Sequence, residues 1–401
     1  MDFTSSPRFF HLLDAPLLSL LPQAVQGQRS NWRCHKFTAT HHVLLSLFAH
    51  LAHVPSANAL LEELNDLDGA GHERNLRELV GFNTFELGQP LTLNQSSFSR
   101  AKANRSYRLW RYLFHRVWQQ AKAQCALPQL EGLGQIVAVD GSLFDCLARM
   151  GWAVYRSTTP KVKGHFFFNL DGLPERLVLT TGVGSEREVL ATNYRAGVTY
   201  LLDRGYNDYT MFRNLVKAKA HFVTRLLKNA RWTAVENYPL TRTDQAVGVL
   251  SDQQIQLGQA QNILTARLVI YQKLDGTIIH YLTSRYDVEA LTVVRLYDHR
   301  WQIERFFAWI KLHLQLGHWY SENENGVLIQ LYAALITFLL LKLHSAKYDK
   351  VEHRAMRIGF IRYLDHRIFD YLDEASLAAY LELIKSSAEL SKSSGSISTH
   401  Y

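Results

Sequence analysis

The chain has 401 residues, which is more than one hydrophobic core usually organises, so at least two domains are expected. Hydrophobic residues make up 47% and charged residues 20%, which excludes a disordered protein, and three cysteines without a CxxC pair exclude a disulfide scaffold and a zinc ribbon. Forty-four basic against 36 acidic residues give a net charge of +8, which indicates a polyanionic partner.

Residues 1–127 are predicted to form a helical region. Thr38 or Thr40 can cap a helix whose apolar residues follow helical spacing, and Pro55 and Ser56 then break the chain before residues 57–67 resume the pattern. Two short helices joined by a tight break are typical of a helix-turn-helix, although plain helical hairpins look the same.

A basic segment, residues 95–124, ends this region. It carries seven cations and no acid, and its apolar residues keep helical spacing, so the cations should line the opposite face of a helix. A solvated face is the alternative, but surface helices usually mix both signs. The pattern therefore favours contact with DNA phosphates. The residues assigned to this contact are Arg100, Lys102, Arg105 and Arg108.

From residue 135 the pattern changes to strands. Three apolar, β-prone runs at residues 136–140, 164–171 and 175–182 are followed by helices near 187–194 and 209–220, which alternate with strands at 199–203 and 221–227. Three hairpin-like strands followed by two helix–strand alternations is the order of a ribonuclease-H-like core. The first part of this core is predicted at residues 135–227.

After residue 227 the sequence predicts a β-rich segment followed by helices. Residues 228–286 contain short β-prone pieces and a strong hairpin turn at Asp275-Gly276, which indicates a small β-rich insertion. A long helix over residues 288–316 then returns to the core, within residues 287–320. Residues 321–385 are predicted to be helical, and the serine-rich residues 386–401 to be disordered.

The most apolar run, residues 327–341, has 15 residues and is followed by Lys342. A membrane span needs roughly 20 apolar residues, so this run is interpreted as a buried helix and no membrane is expected. The cysteine usage fits a reducing compartment, which predicts a cytoplasmic protein.

Four polar residues on the predicted long helix form a candidate site. Tyr297, Arg300, Glu304 and Lys311 lie at offsets that place them within about 60° of one another on a continuous helix. An ordinary surface stripe is the alternative, because Arg300 and Glu304 stand four residues apart and can simply pair.

Two aspartates could supply further carboxylate oxygens beside these four residues. Asp140 and Asp203 each end an apolar run, and a lone aspartate there more often caps a turn. Two of them facing Glu304 would suit a divalent-metal site, and oxygen donors favour Mg²⁺ or Mn²⁺ over zinc. The reaction that needs such a site is phosphodiester cleavage or transfer, with two ions about 3.5–4 Å apart.

Around these residues the sequence resembles the DDE transposases of bacterial insertion sequence family 4. Asp140 lies within VAVDGS and Asp203 within YLLDRGYNDY, while Tyr297, Arg300, Glu304 and Lys311 reproduce the signature Tyr-x2-Arg-x3-Glu-x6-Lys. The resemblance implies a mixed α/β, ribonuclease-H-like catalytic core, interrupted by a β-rich insertion between the second aspartate and the glutamate, with helical N- and C-terminal regions.

The resemblance also implies roles for these residues. Asp140, Asp203 and Glu304 would be the catalytic residues and the ligands of two Mg²⁺ or Mn²⁺ ions. Tyr297, Arg300 and Lys311 would contact DNA phosphates. Such proteins cut double-stranded DNA at terminal inverted repeats and join the 3′-hydroxyl to target DNA, as a dimer assembled on DNA.

Related enzymes excise through a DNA hairpin, with an insertion tryptophan stacked on a flipped base. Trp232 is the candidate here, although it lies early in the insertion and a packing role competes; Tyr271 or Tyr281 could substitute.

The prediction is therefore a DNA transposase that acts at the bacterial nucleoid. Two alternatives remain at this point: a hydrolytic nuclease with the same metal site, and a sequence-specific DNA-binding protein derived from a transposase that no longer cleaves DNA.

Overall fold

The computed structural model of the chain describes residues 12–13, 17–28, 30–31, 36–67, 76–82, 85–86, 89–125, 132–153, 155, 159–259, 262–314, 316 and 318–348. The helices predicted after residue 348 and the serine-rich tail lie outside these residues. The chain divides into two compact units, one formed by residues 126–308 and the other by residues 1–125 together with 309–401.

Helices dominate one unit and strands the other. The helices are α1 (Leu21–Gly27), α2 (Ala39–Leu51), α3 (Ala57–Asn65), α4 (Leu76–Val80), α5 (Gln95–Asn104), α6 (Arg108–Gln124), α7 (Glu186–Ala191), α8 (Tyr209–Lys217), α9 (Arg242–Ala246), α10 (Ala290–Asp298), α11 (Trp301–His313) and α12 (Glu324–Tyr348). The strands are β1 (Phe85–Glu86), β2 (Gln89–Pro90), β3 (Gln135–Asp145), β4 (Lys161–Asn169), β5 (Leu173–Thr181), β6 (Val198–Leu202), β7 (His221–Arg225), β8 (Trp232–Asn237), β9 (Val249–Leu257), β10 (Leu264–Gln272) and β11 (Ile278–Thr283).

In the helical unit, α12 is the core element. It packs against α2, α5 and α6, and residues 327–343 are almost all buried. The helix is long and apolar enough to cross a membrane, but 89% of its apolar window is buried inside the protein. The interpretation of residues 327–341 as a buried helix is confirmed. The Thr38 cap of α2 is confirmed too, because its side chain accepts from His41 N at 3.3 Å.

The basic segment departs from a single helix. It forms α5 and α6, which are separated at residues 105–107, and Asn325 bridges this break. The Asn325 amide donates to the carbonyls of Lys102 and Arg105 at 2.8 Å, while its Oδ1 accepts from Tyr107 N at 3.0 Å. A contact more than 200 residues away along the chain therefore fixes the break, which no local pattern could indicate.

In the strand-rich unit a nine-stranded sheet runs in the order β5-β4-β3-β6-β7-β11-β10-β9-β8. Strands β3, β6 and β7 are parallel, and the other neighbours are antiparallel. The predicted strand and helix alternation of residues 135–227 matches β3 to β7 with α7 and α8, and the turn at Gly172 has the positive φ of 83° that favours glycine.

Both faces of the sheet are covered. Val137, Val139, Tyr200 and Leu202 pack with α7 and α8 on one face. On the other face, the Phe166 and Phe168 rings of β4 pack at 4.8–5.6 Å from the rings of Phe306 and Phe307. Alternation along each strand therefore supplies two apolar layers.

Residues 228–286 are β-rich, as predicted, but they form no sheet of their own. Strand β11 pairs antiparallel with β7, and β10, β9 and β8 follow it at the same end of the nine-stranded sheet. The segment therefore extends the sheet that carries the candidate site.

The prediction of one continuous helix over residues 288–316 is wrong. Helix α10 ends at Asp298 and α11 begins at Trp301. Between them the backbone tightens, because Arg300 N donates to Tyr297 O at 3.0 Å and Ile303 N donates to Arg300 O at 3.1 Å. No proline or glycine marks this turn, so the four polar residues do not share the arc expected of a straight helix.

Candidate active site

Asp140 lies on β3, and Asp203 directly follows the neighbouring parallel strand β6. The register pairs Ala138 of β3 with Leu201 of β6, and two residues further along each strand stand Asp140 and Asp203. Because side chains alternate along strands, the equal step keeps both carboxylates on one face of the sheet. The negative charge of Asp203 contributes to the raised pKa of Asp140, which places the two carboxylates within electrostatic reach.

Asp140 is partly buried, with a side chain that is 19% exposed. Burial raises its pKa to about 6, the Gly141 amide at 2.8 Å and Arg300 oppose this shift, and Asp203 and Glu186 add to it. Strand β3 continues to Asp145, so the expectation that Asp140 ends its strand is wrong. The shorter β6 stops at Leu202, and Asp140 therefore stands beside the end of that strand.

Asp203 begins a 3-10 helical turn over Arg204–Tyr206. Its Oδ1 accepts from Gly205 N at 2.8 Å, which is the capping role that the sequence left open. Its carbonyl accepts from the Thr224 hydroxyl of β7 at 3.2 Å. The cap and the neighbouring strand both hold Asp203 in position.

Arg300 connects Asp140 to Glu304. Its Nη1 lies 3.6 Å from Asp140 Oδ2, and its Nη2 donates to Glu304 Oε1. The side chain is 16% exposed, so this guanidinium is a largely buried cation between two carboxylates. The pairing of Arg300 with Glu304 is the alternative that four-residue spacing predicted, and it occurs together with the contact to Asp140.

Two guanidinium groups lie near the ring of Tyr297. The Arg225 guanidinium lies 4.8 Å from the ring centroid and that of Arg300 lies 5.8 Å away. Arg225 ends β7, and the register of Leu202 with Thr224 places it beside Asp203. The sequence analysis missed Arg225, although it follows the apolar run HFVT just as the aspartates follow theirs.

A second set of residues near Asp140, which no sequence pattern indicated, lies around Gly141. The Glu186 carboxylate lies so close to Gly141 that a Cβ there would be 2.5 Å from Oε1, and Lys163 Nζ lies 3.4 Å from the same oxygen. Tyr206 is fully buried, and its hydroxyl has no hydrogen-bond partner among the described residues. No local motif in the sequence connects these residues to Asp140.

The donor chemistry of the site fits a hard divalent cation. Asp140, Asp203 and Glu304 offer carboxylate oxygens, and a bound cation would relieve the unfavourable burial of the Asp140 charge. In the described ranges, however, no three histidine, cysteine or acidic side chains are grouped closely enough to hold a metal ion as they stand. Glu304 is paired with Arg300 instead, so its side chain would have to turn to join the aspartates.

The remaining predicted contacts are spread more widely. Lys311 is exposed on α11 and falls in the helical unit by sequence. Trp232 begins β8, where its half-buried ring meets the His280 ring edge-on at 5.3 Å and packs against the core. This packing favours the structural interpretation of Trp232 over base stacking.

Two of the four cations assigned to DNA are buried in the helical unit. The Lys102 ammonium donates to the Tyr320 carbonyl, and the Arg105 guanidinium donates to the Phe37 carbonyl and lies over the Phe37 ring. Their exposed fractions are 4% and 7%, so in this structure both cations are bound to backbone carbonyls and shielded from solvent, and their predicted contact with phosphates stays a prediction. Charge alone could not show this, because burial depends on the break between α5 and α6.

Helix α6 nevertheless presents a basic face. Its exposed residues at helical spacing include four cations and an aromatic ring, and the helix has no acid. We call this set the α6 basic face: Arg108, Arg111, Tyr112, Arg116 and Lys122. Arg100 of α5 is also exposed. The opposite side of α6, with Leu109, Trp110 and Leu113, is fully buried.

Comparison with known proteins bears on this site. The sequence profile of the family described as "Transposase DDE domain" matches residues 131–340, just over half of the 401 residues. The chain belongs to the DDE transposase family. A DDE transposase acts on DNA, and members of this family generally use divalent metal ions.

Individual relatives of this transposase carry consistent names. A Sinorhizobium fredii protein named as a transposase (y4zB) is 27% identical over 274 residues, which cover 67% of this chain and 76% of that protein. A Geobacillus stearothermophilus protein named as a transposase for insertion sequence element IS5377 is 29% identical over 198 residues, 48% of this chain and 52% of its own. A Synechocystis protein named for element IS4SA is 24% identical over 264 residues, covering 63% and 72%.

Proposed function

We propose that this transposase belongs to insertion sequence family 4, binds the terminal inverted repeats of its element, cleaves DNA strands with a divalent metal and transfers the 3′-hydroxyl to target DNA. The observation that carries this proposal is the placement of Asp140 on β3 beside the end of the parallel strand β6, which Asp203 follows, with Arg300 joining Asp140 to Glu304. The spacing of Tyr297, Arg300, Glu304 and Lys311 supports the family assignment.

A ribonuclease-H-like core is supported by the strand order. Strands β5-β4-β3-β6-β7 have the three antiparallel and two added parallel strands that this core requires. The segment that holds β8 to β11 lies in sequence between Asp203 and Glu304, which fits an insertion at that point.

Asp140, Asp203 and Glu304 would hold the metal, either Mg²⁺ or Mn²⁺. Two such ions, when bound, activate the attacking oxygen and stabilise the leaving oxygen of an in-line displacement at phosphorus. The chain's own contribution is to fix two carboxylates on adjacent strands and to keep the third within reach on α11.

The cations near these acids would orient the DNA. The Arg300 and Arg225 guanidinia flank the Tyr297 ring, and planar guanidinia match phosphate oxygens well. Binding a phosphate would let Arg300 release Glu304 toward the aspartates. We propose Arg225, Tyr297 and Arg300 as phosphate contacts on this evidence, and we omit Trp232 because its ring is already packed. Lys311 is proposed as a phosphate contact from its spacing in the sequence alone.

The α6 basic face would contact the DNA backbone. Its four cations and Arg100 are exposed, and a duplex presents phosphates that such cations neutralise with release of counterions. We propose Arg100, Arg108, Arg111, Arg116 and Lys122 for this contact. Two ends must be joined in transposition, so we also propose a homodimer on DNA, acting at the nucleoid in the cytoplasm.

The test uses linear duplex DNA that carries both flanks of this gene. Purified protein would be incubated with it in Mg²⁺ or EDTA, alongside the Asp140→Asn variant. The expected result is Mg²⁺-dependent cleavage at paired inverted ends with joined products, and none with the variant. Cleavage without joining would indicate a nuclease, and binding without any cleavage would contradict the proposed chemistry.

A further inference from the structure

The hydroxyl of Tyr206 needs an acceptor. The side chain is fully buried among Val139, Leu202 and the α8 residues, and the hydroxyl makes no hydrogen bond within the described part of the chain. A buried donor without a partner costs free energy, of about 1–3 kcal/mol in proteins generally. The acceptors that its surroundings offer are therefore informative.

Those surroundings are acidic. Burial raises the pKa of Tyr206 well above its ordinary value, and Glu186, Asp140 and Asp203 raise it further, with Glu186 the strongest of the three acids. The phenol therefore keeps its proton and is a donor to carboxylates. Glu186 is the first acceptor to consider.

Glu186 is held close to Asp140 from the opposite side of β3. It is the first residue of α7, and its Oε1 lies where a Cβ at residue 141 would approach it to 2.5 Å, so any larger residue there would displace it. Lys163 of β4 pairs with the same oxygen at 3.4 Å and also donates to the Gly184 carbonyl at 3.2 Å. The carboxylate of Glu186 is thus fixed and 26% exposed.

We propose that Glu186 and Tyr206 are positioning residues for cation binding at Asp140 and Asp203. The Glu186 carboxylate neutralises Lys163 and adds negative charge beside Asp140. The Tyr206 hydroxyl, which has no hydrogen-bond partner among the residues that the structure describes, would donate to this carboxylate when a cation is bound. Glu186 is not proposed as a ligand, in keeping with the absence of a three-acid group among the described residues. The inference rests on the proposed metal-dependent function.

The charge balance explains why such a residue is needed. Arg300 contacts Asp140 at 3.6 Å, and Lys163 stands on the other side of Gly141. Without Glu186, both cations would act against a divalent ion at Asp140, because like charges repel across a partly buried site. Residues that orient metal-binding groups typically change metal affinity about 10-fold to 100-fold when they are replaced.

The test measures Mn²⁺ binding to the full-length protein by calorimetry, without DNA. Glu186→Gln should weaken Mn²⁺ affinity by about tenfold and Tyr206→Phe by a smaller factor. Glu188→Gln is the matched control, because Glu188 lies in the same turn of α7 and is exposed. Thermal unfolding of each variant is recorded alongside.

A second variant protects the test against misfolding. Gly141→Ala displaces the flexible ends of Glu186 and Lys163 and leaves both charges in the protein. It should also weaken Mn²⁺ binding. If Glu186→Gln and Gly141→Ala lower the unfolding temperature but keep the wild-type Mn²⁺ affinity, these residues are structural and the inference fails.

The outcomes separate this inference from the proposed function. Loss of Mn²⁺ binding in Asp140→Asn with unchanged binding in Glu186→Gln would reject the inference alone. Equal Mn²⁺ binding by wild type and Asp140→Asn would reject the metal site itself, and with it both proposals.

Discussion

The Asp140–Asp203 pair and the basic segment of residues 95–124 both stand out in the sequence by charge, but the fold places their charged side chains in different ways. Asp140 lies within β3 and Asp203 directly follows β6, and the parallel register of the two strands brings both aspartates to one place. In the basic segment, Arg108 is exposed whereas Lys102 and Arg105 are buried. Strand register therefore localises charge more reliably than helical spacing does across an unmarked break.

The largest expected effect is a loss of DNA cleavage at the Asp140–Asp203 site. Asp203→Asn should reduce DNA cleavage by about a thousandfold or more, because it removes an oxygen donor to the metal that stabilises the transition state. DNA affinity should stay within a few-fold of wild type. Cleavage and binding would be measured on the same labelled duplex.

Asp145→Asn is the control for this variant. Like Asp203, Asp145 is an aspartate at the end of a strand, in this case β3. Its side chain, however, is 81% exposed and pairs with Lys161 at 2.5 Å. Its cleavage rate should be that of wild type. Equal losses in Asp145→Asn and Asp203→Asn would show that strand-end position says nothing about function.

A smaller effect is expected on the α6 basic face. Replacing Arg108, Arg111 and Arg116 together by alanine should weaken DNA binding about a hundredfold at low salt and reduce the slope of log affinity against log salt by up to about 3. Binding would be measured by fluorescence anisotropy over a series of salt concentrations.

The control for this triple variant is another one that also loses three positive charges, but outside α6. Lys217, Lys228 and Lys273 are exposed cations of the strand-rich unit, and their joint replacement by alanine removes three charges elsewhere. It should leave the salt slope near the wild-type value. The α6 proposal is rejected if both triple variants lower the slope equally.

The smallest effects are expected at the buried cations. Lys102→Met and Arg105→Met should each destabilise the protein by about 1–3 kcal/mol, because the Tyr320 and Phe37 carbonyls lose their donors. The salt slope of DNA binding should not change. Urea unfolding would measure the loss, with Arg100→Met as an exposed control expected within about 0.5 kcal/mol of wild type.

Much of the fold could be predicted because its signals are local. Alternating apolar runs and the Asp171-Gly172 turn indicate β3 to β5, and the Thr38 cap marks the start of α2. The breaks at residues 105–107 and 299–300 could not be predicted, since no proline or glycine marks either. The first of them depends on Asn325, which is distant in sequence.

The site could be predicted in part for the same reason. The ends of the apolar runs point to Asp140 and Asp203, and four-residue spacing points to the Arg300–Glu304 pair. Arg225, Glu186 and Tyr206 join them only through the register of β6 with β7 and the approach of α7 to Gly141. Those are tertiary contacts, and a single sequence does not contain them.

The unbroken sheet has a consequence for protein engineering. Strand β11 is hydrogen-bonded to β7, so deleting residues 228–286 would expose the backbone edge of β7. Phe222 and Val223 of this strand are fully buried in the intact protein, and exposed strand edges promote aggregation. The segment is therefore a poor choice for removal or exchange between homologues. The fully exposed Leu274 at the β10–β11 turn is by contrast a suitable point for inserting an affinity tag or a fluorescent label.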